Sequence, residues 1–353
     1  MVEFTKHKSM ELPRRVVVGH DALESVLDVV ENVHLSGPYL IVADNTTKKV
    51  AGDKIADMLE DTGNDVDFVL IKEADMETVE SVVARIREIK AHTVFGVGGG
   101  RPIDVAKCSS HRENVPFVSV PTAASHDGIA SSIASIRIEG RNTSIETRSP
   151  TAVIADTKII ASAPYRLMAS GCGDIIANYT AVKDWRLARM LRGESYSSYA
   201  AALSEMTATM LVENSEAIKP GLEEAAWIVV KALVSSSVAM SIAGSSRPAS
   251  GAEHKFSHAL DIIAPGKALH GEQCGVGTIM MMHLHGGDWR MIRQTLKNVG
   301  APTNYKELGV SREDIIKALT MAHKIRPERY TILGDRGLTE DAAERLAEET
   351  MVI

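Results

Sequence analysis

Three short segments set side chains capable of binding a metal among small residues. Asp174 lies in Gly171-Cys172-Gly173-Asp174, His254 and His258 in Ser250-Gly251-Ala252-Glu253-His254-Lys255-Phe256-Ser257-His258, and His270 in Ala268-Leu269-His270-Gly271-Glu272. One carboxylate and two imidazoles are a usual catalytic zinc set, with one position left for water or substrate. His254 and His258 are four apart on an expected helix and share a face, which Asp261 continues. That spacing suits two metal ligands, one ligand and one substrate contact, or two structural histidines. Asp174 is read just inside a helix start, where an aspartate is also an ordinary partner of the N-terminal dipole. His270 is read in a loop after Pro265-Gly266. His283 and His285 are a competing pair, read as structural. Cys172 is read as packing, because a thiolate beside a carboxylate is disfavoured.

A second kind of chemistry lies upstream. The apolar run Thr93–Val97 leads into Gly98-Gly99-Gly100-Arg101-Pro102 and then a helical pattern, with Pro102 suited to the first helical position. Glycines let the backbone approach a ligand closely, and free N–H groups at a helix start favour a pyrophosphate. The other reading is a tight structural turn. A Rossmann fingerprint would open from the first strand, whereas this turn follows the fourth. After the next strand comes Pro121-Thr122-Ala123-Ala124-Ser125-His126-Asp127-Gly128-Ile129-Ala130-Ser131. Its small hydroxyl residues could line a nucleotide cleft and Asp127 could bond a substrate hydroxyl; a capping turn reads equally well. Asp44, ending the second strand, could accept from an adenosine ribose, and Asn45 to Lys48 could tolerate a 2′-phosphate. Together these features imply an enzyme holding a phosphate-bearing cofactor over a Lewis-acid metal.

Up to residue 150 or so, buried strand runs at Arg15–Val18, Tyr39–Ala43, Val66–Ile71, Thr93–Val97 and Phe117–Val120 alternate with helical patterns at 22–30, 48–60 and 77–90. Such alternation predicts a parallel sheet covered by helices. The stretch 133–145 reads as a hairpin turning at Gly140-Arg141-Asn142. Beyond Pro164 the pattern is helical to the end, with helices over 166–190, 199–217, 222–243, 251–264 and 273–283. On the third of these, 222–243, Trp227, Val230, Val234 and Val238 read as a core stripe. The expectation is an α/β dinucleotide-binding domain over 1–160 and an all-helical metal- and substrate-binding domain over 161–353. No internal repeat or low-complexity segment is present.

Composition sets outer bounds. The 353 residues suffice for two domains with a sizeable core, and 44% hydrophobic with 24% charged residues is globular. A net charge of -7 with pI near 6.0 argues against a general nucleic-acid role. No uninterrupted apolar run suggests membrane insertion, and the polar stretch Met1–Arg15 lacks a signal-peptide core. Cys108, Cys172 and Cys274 show no CxxC spacing, which fits a reducing cytoplasm.

Across essentially the whole chain these motifs resemble the superfamily of iron-dependent alcohol dehydrogenases, glycerol dehydrogenases and dehydroquinate synthases. Within it they look most like the sn-glycerol-1-phosphate dehydrogenase family. The glycine turn through Asp104, the Pro121–Gly128 loop, Gly171–Asp174, Ser250–Asp261 and Leu269–Glu272 carry the resemblance; the last three are specific. It implies a dehydroquinate synthase-like fold with the site in an interdomain cleft. It also implies one Zn²⁺ per subunit on Asp174, His254 and His270, and NAD or NADP held by Gly98–Pro102, Thr122, Ala123, Ala124, Ser125 and Ser131. Asp127, His258 and Asp174 are the implied substrate contacts. Iron-using members place a histidine four residues after the aspartate; Asn178 stands there, which favours the zinc branch. Dehydroquinate synthases carry a glutamate in the first ligand position, so Asp174 argues against them. The implied reaction is reversible reduction of dihydroxyacetone phosphate to sn-glycerol 1-phosphate, supplying archaeal-type ether phospholipids, in a cytoplasmic homo-oligomer. Lys255, Lys267, Arg326 and Arg329 are the candidate phosphate cations. A zinc glycerol dehydrogenase, a non-redox dehydroquinate synthase-like lyase and a silent binding protein are the competing readings.

Overall fold

A computed structural model of the chain describes residues 10–353, so residues 1–9 of the polar Met1–Arg15 stretch lie outside the described residues. The strands are β1 Arg15–Gly19, β2 Tyr39–Ala43, β3 Val66–Leu70, β4 Thr93–Gly98, β5 Phe117–Pro121, β6 Ile133–Ile138, β7 Arg141–Glu146 and β8 Ala152–Asp156. Six form one all-parallel sheet in the order β1-β8-β5-β4-β2-β3, while β6 and β7 pair as a separate antiparallel hairpin. Successive residues of β2 and β4 enter opposite layers. Leu40, Val42 and Val94 pack with Val79, Val82 and Ile103; Ile41, Phe95 and Val97 pack with Val26, Ile55 and Leu59. Both faces are covered, which is why these strands read as continuous apolar runs.

The chain leaves β2 for β3 on one side, then returns through β4 to β5 on the other. The carboxyl ends of β2 and β4 therefore flank the point where strand order reverses. There, adjacent loops diverge and leave a crevice for a ligand. Asp44 stands at one end and Gly98–Gly100 at the other.

Several local expectations need correction. β8 is a strand beyond those the sequence predicts; its Ala-Val-Ile-Ala-Asp run is short and ends in Asp156, which caps the next helix by accepting from Lys158 and Ile159 N–H groups. The hairpin turns at Glu139 (φ 50) and Gly140 (φ 76), a two-residue turn with both residues left-handed, so Arg141 and Asn142 belong to β7. The 166–190 helix is two, Tyr165–Ile176 and Asn178–Arg192, which puts Asp174 in the last turn of the first. His270 opens the helix His270–Leu284 instead of sitting in a loop. In the helix Glu223–Ala243, Trp227 is 41% exposed, and the buried face runs through Ala226, Val230, Leu233 and the polar pair Ser236 and Ser237. That helix has the length and composition to cross a membrane, but most of it is buried against the rest of the chain.

The helices Tyr165–Ile176 and His270–Leu284 meet backbone to backbone. A Cβ on Gly271 would fall 1.9 Å from the Ser170 carbonyl oxygen, one on Gly173 2.2 Å from that of Gly271, and one on Gly275 3.3 Å from the Cα of Gly173. Gly171 similarly admits the Ala124 carbonyl at 2.2 Å, bringing the loop after β5 against the same helix. Gly271→Ala should therefore lower the urea midpoint, with a loss of about 1–3 kcal/mol from overpacking. Gly99, with nothing within 4 Å of its Cβ position, is the control. Equal midpoints for the two alanine variants would refute this account of the contact.

Candidate active site

The glycine turn is built by close approach. A Cβ on Gly98 would lie 2.7 Å from Pro102 Cγ, and one on Gly100 2.3 Å from His126 Nε2. The helix Gly100–Glu113 begins at Gly100 with Gly99 as N-cap, so Pro102 is its third residue and not its first. A proline remains harmless there, because first-turn N–H groups have no intrahelical partner. Thr122 N–H donates to Gly98 O at 2.9 Å, stitching the Thr122–Ser125 segment to the turn. Thr47 Oγ1 donates to Val97 O at 2.9 Å, tying in the β2 end, while Asp44 Oδ1 caps Thr46 and Thr47, each at 2.8 Å.

Gly100, Arg101 and Ser131 line a cavity of about 500 Å³ that also receives Asp127, His254, His258, His270 and Arg326. Thus the glycine-turn helix and the histidine cluster open onto one space. Arg101 donates to Lys72 O at 2.6 Å. Beneath the loop carrying Asp127, the buried Lys107 ammonium donates to Gly128 O at 2.6 Å and Ile133 O at 2.8 Å.

Asp174 is the centre of the cluster. Its Oδ1 lies 3.5 Å from His254 Nε2 and 3.8 Å from His270 Nε2, and its Oδ2 accepts the Asp127 N–H at 2.9 Å. Each imidazole is oriented from behind. His254 Nδ1 is 2.9 Å from Glu253 Oε1. His270 Nδ1 is 3.1 Å from Ser257 Oγ, which donates onward to Gln273 Oε1 at 2.6 Å. An acceptor at each Nδ1 suits the tautomer that would present a bare Nε2 to a bound metal, the arrangement of metal-ligating histidines. Glu272 fixes the helix start under His270, accepting the Leu269 N–H at 2.8 Å and both arms of Arg166 at 2.6 and 2.7 Å.

Asp174, His254, His270 and Cys274 offer four ligand atoms all within 4.8 Å of one another. Donors bonded at roughly 2.0–2.1 Å in a tetrahedron stand about 3.4 Å apart, so these spacings fit a divalent zinc. Burial opposes charge on all four groups, and their mutual attraction outweighs it. Asp174 is held at about 2, His270 rises to about 9, His254 rises, and Cys274 falls below the usual thiol range.

His258 faces the cavity one turn beyond His254 and its ring centroid is 5.8 Å from that of His270. Burial, and then the other histidines and Arg326, push its pKa well down, and its buried Nδ1 has no partner among the described residues. Asp127 is pushed up to about 7 by burial and by the charge on Asp174. Its Oδ2 accepts from Ser236 Oγ at 3.0 Å and its carbonyl from Ser237 at 2.5 Å. Neither serine was found from sequence, nor were Glu253, Ser257 and Cys274 in these roles. His283 and His285 pair with Glu349 and Asp184, each at 3.0 Å, as structural residues. Cys172 is buried in the core.

Residues 17–164 match the family model of iron-containing alcohol dehydrogenases. A protein of Methanosarcina mazei named glycerol-1-phosphate dehydrogenase [NAD(P)+] is 59% identical over 98% of this chain and 97% of its own. One of the same name from Methanothermobacter thermautotrophicus is 56% identical over 98% and 99%. Among solved structures, a probable glycerol dehydrogenase from Sinorhizobium meliloti 1021 superposes with a TM-score of 0.80 at 20% identity, covering 98% of this chain and all of that one. At such identity over nearly the full length of both partners, this chain belongs to the glycerol-1-phosphate dehydrogenase family.

Proposed function

We propose that this protein is an NAD(P)-dependent, zinc-dependent dehydrogenase that reversibly reduces dihydroxyacetone phosphate to sn-glycerol 1-phosphate, the backbone of archaeal-type ether phospholipids. The observation that carries the reading is the single cavity shared by the glycine-turn helix, the Asp174 cluster and Arg326. In this reading residues 1–160 bind the dinucleotide and 161–353 bind metal and substrate. Gly98, Gly99, Gly100, Arg101 and Pro102 form the pyrophosphate turn, Thr122–Ser125 and Ser131 line the cofactor cleft, and Asp44 meets the adenosine ribose. Asp174, His254 and His270 hold the metal.

When bound, zinc supplies Lewis acidity at the substrate oxygen, and the reduced nicotinamide supplies the hydride. The chain's own groups position the rest. Asp127, braced by Ser236 and by its N–H bond to Asp174, takes a substrate hydroxyl. His258, on the cavity wall one turn beyond the metal ligand His254, is placed to contact a substrate hydroxyl in its neutral form.

The four candidate phosphate cations now separate. Lys255 is buried and donates to Arg329 O at 2.7 Å. Arg329 donates to Ser250 O at 2.8 Å and Ser246 Oγ at 2.7 Å, supporting the cavity wall. Lys267 is exposed. Arg326 lines the cavity, and no carboxylate among the described residues pairs with it. It also stands at φ 46 immediately before Pro327, in a region that ordinary side chains avoid and that pre-proline residues disfavour. This strained backbone beside the cavity supports Arg326 as the phosphate-binding group. Homo-oligomer assembly belongs to the same reading. The exposed apolar side chains Tyr199, Met206 and Met210 on the helix Ser198–Asn214, and Met190 and Leu191 before it, suit it.

The decisive assay supplies dihydroxyacetone phosphate with NADH or NADPH and tests the product with a stereospecific glycerophosphate enzyme. Glycerol oxidised faster than glycerol 1-phosphate would move the reading to a polyol dehydrogenase, and turnover without net nicotinamide oxidation to a lyase. Dialysis against a strong chelator should abolish activity and added zinc restore it; full activity in protein free of zinc removes the metal from the mechanism. Arg326→Ala should raise KM for dihydroxyacetone phosphate by about tenfold or more, the value of a charge-assisted bond, with a smaller change in kcat. Unphosphorylated dihydroxyacetone and the Lys267→Ala variant are the controls, and an unchanged KM discards Arg326 as the phosphate group.

A further inference from the structure

We infer that Lys107 is a positioning residue for the substrate contact at Asp127: its ammonium, buried behind the cavity wall, fixes the loop that carries that carboxylate. Lys107 lies about two turns into the helix Gly100–Glu113, whose start is the glycine turn. Its buried Nζ donates to Gly128 O at 2.6 Å, to Ile133 O at 2.8 Å and to Asp104 Oδ1 at 3.4 Å. An ammonium has three N–H donors, and here each has an acceptor. Gly128 and Ile133 are the two ends of the loop that carries Ser131, so one cation clasps both ends. Asp104 Oδ2 accepts the Ser135 N–H at 3.2 Å, which brings the start of β6 into the same ion pair. Asp104, Gly128, Ile133 and Ser135 all line the cavity together with Asp127.

Burying an ammonium is costly, and a methionine would fill nearly the same volume without that cost. The charge does what packing cannot. The helix has its own interior N–H groups committed to its own carbonyls, so only a side chain can donate from it to the neighbouring loop. The other bonds at Asp127 all come from the helical half of the chain: its N–H donates to Asp174 Oδ2 at 2.9 Å, its carbonyl accepts from Ser237 Oγ at 2.5 Å, and its Oδ2 accepts from Ser236 Oγ at 3.0 Å. Lys107 ties the very next peptide carbonyl to the helix that begins with the cofactor turn. It thereby sets the separation between the group that takes the substrate hydroxyl and the turn that holds the hydride donor. Such separations govern reaction rate steeply.

This inference rests on the reading of Asp127 in the proposed function. Reduction of dihydroxyacetone phosphate is followed in the full-length zinc enzyme carrying Lys107→Met, alone and together with Asp127→Asn. Lys107→Met should raise KM for dihydroxyacetone phosphate and lower kcat/KM by about tenfold or more, the order expected when a contact is misplaced by part of an ångström. In the Asp127→Asn background, already impaired, the same change should cost less than about twofold, because residues acting through one contact are not additive. A loss confined to kcat with KM unchanged, or an equal loss in both backgrounds, marks a purely structural lysine and overturns the inference while leaving the Asp127 reading intact. An Asp127→Asn enzyme with unchanged kcat/KM overturns that reading and the inference with it. If the lone Asp104 carboxylate left by Lys107→Met prevents folding, Lys107→Met combined with Asp104→Asn leaves no unpaired charge and decides the matter in the same cycle.

Discussion

The site depends on two helices being able to touch through their backbones. Gly173 and Gly271 each accept a carbonyl oxygen where a Cβ would stand, and Gly275 lies against Gly173. Only this approach lets Asp174, in the final turn of one helix, face His270, in the first turn of the other. Glycines inside helices cost roughly 0.5–1 kcal/mol each in chain entropy relative to alanine. Several in one contact would be a poor design for stability alone. Their use is to set donor atoms at metal-binding separation on elements stiff enough to keep them there, which loops would not do as well.

The same contact joins the chemistry of the two halves of the chain. Gly171 admits the Ala124 carbonyl, and three residues later Asp127 delivers its N–H to Asp174. Two carboxylates then stand side by side, and both cannot be charged cheaply in a buried place. The histidines tip the competition: their bond and attraction hold Asp174 at about 2, whereas at Asp127 burial and the charge on Asp174 outweigh the pull of His254, His270 and the Ser236 bond and leave it at about 7. The pair is thereby differentiated into a permanent anion suited to a metal and a group free to hold or release a proton near a substrate hydroxyl.

How much of this was readable from sequence followed from the range of each signal. The parallel strands were legible because burial on both faces leaves an uninterrupted apolar run, and the glycine turn because strand, turn and helix are consecutive. β8 escaped because five residues rich in alanine, ending in a capping aspartate, differ little from a loop. Asp174, His254 and His270 stood out through their small-residue frames, yet two were placed wrongly within their elements. A glycine-rich stretch before Asp174 looks like a helix start, and its glycines serve packing across to another helix. Ser236 and Ser237 were invisible because they sit in an apolar helix where the hydrophobic stripe was drawn through Trp227, about a quarter-turn off the buried face. Cys274 was passed over because one cysteine in a helix has meaning only once His254 and Asp174, from two other helices, are beside it.

The cavity wall opposite the glycine turn shows where the chain accepts local strain. Helical rise places His258 about 6 Å beyond His254 along their helix, with its face turned to the same cavity. Arg326 lies further on, close enough for its charge to depress His258. Holding Arg326 left-handed before a proline works against two backbone preferences at once, in a segment otherwise secured by Arg329 and Lys255. Those two cations are spent on backbone and serine oxygens of the wall itself. Of the four basic residues, Lys267 is exposed, Lys255 and Arg329 are tied to the wall, and the strained Arg326 lines the cavity with no carboxylate partner among the described residues.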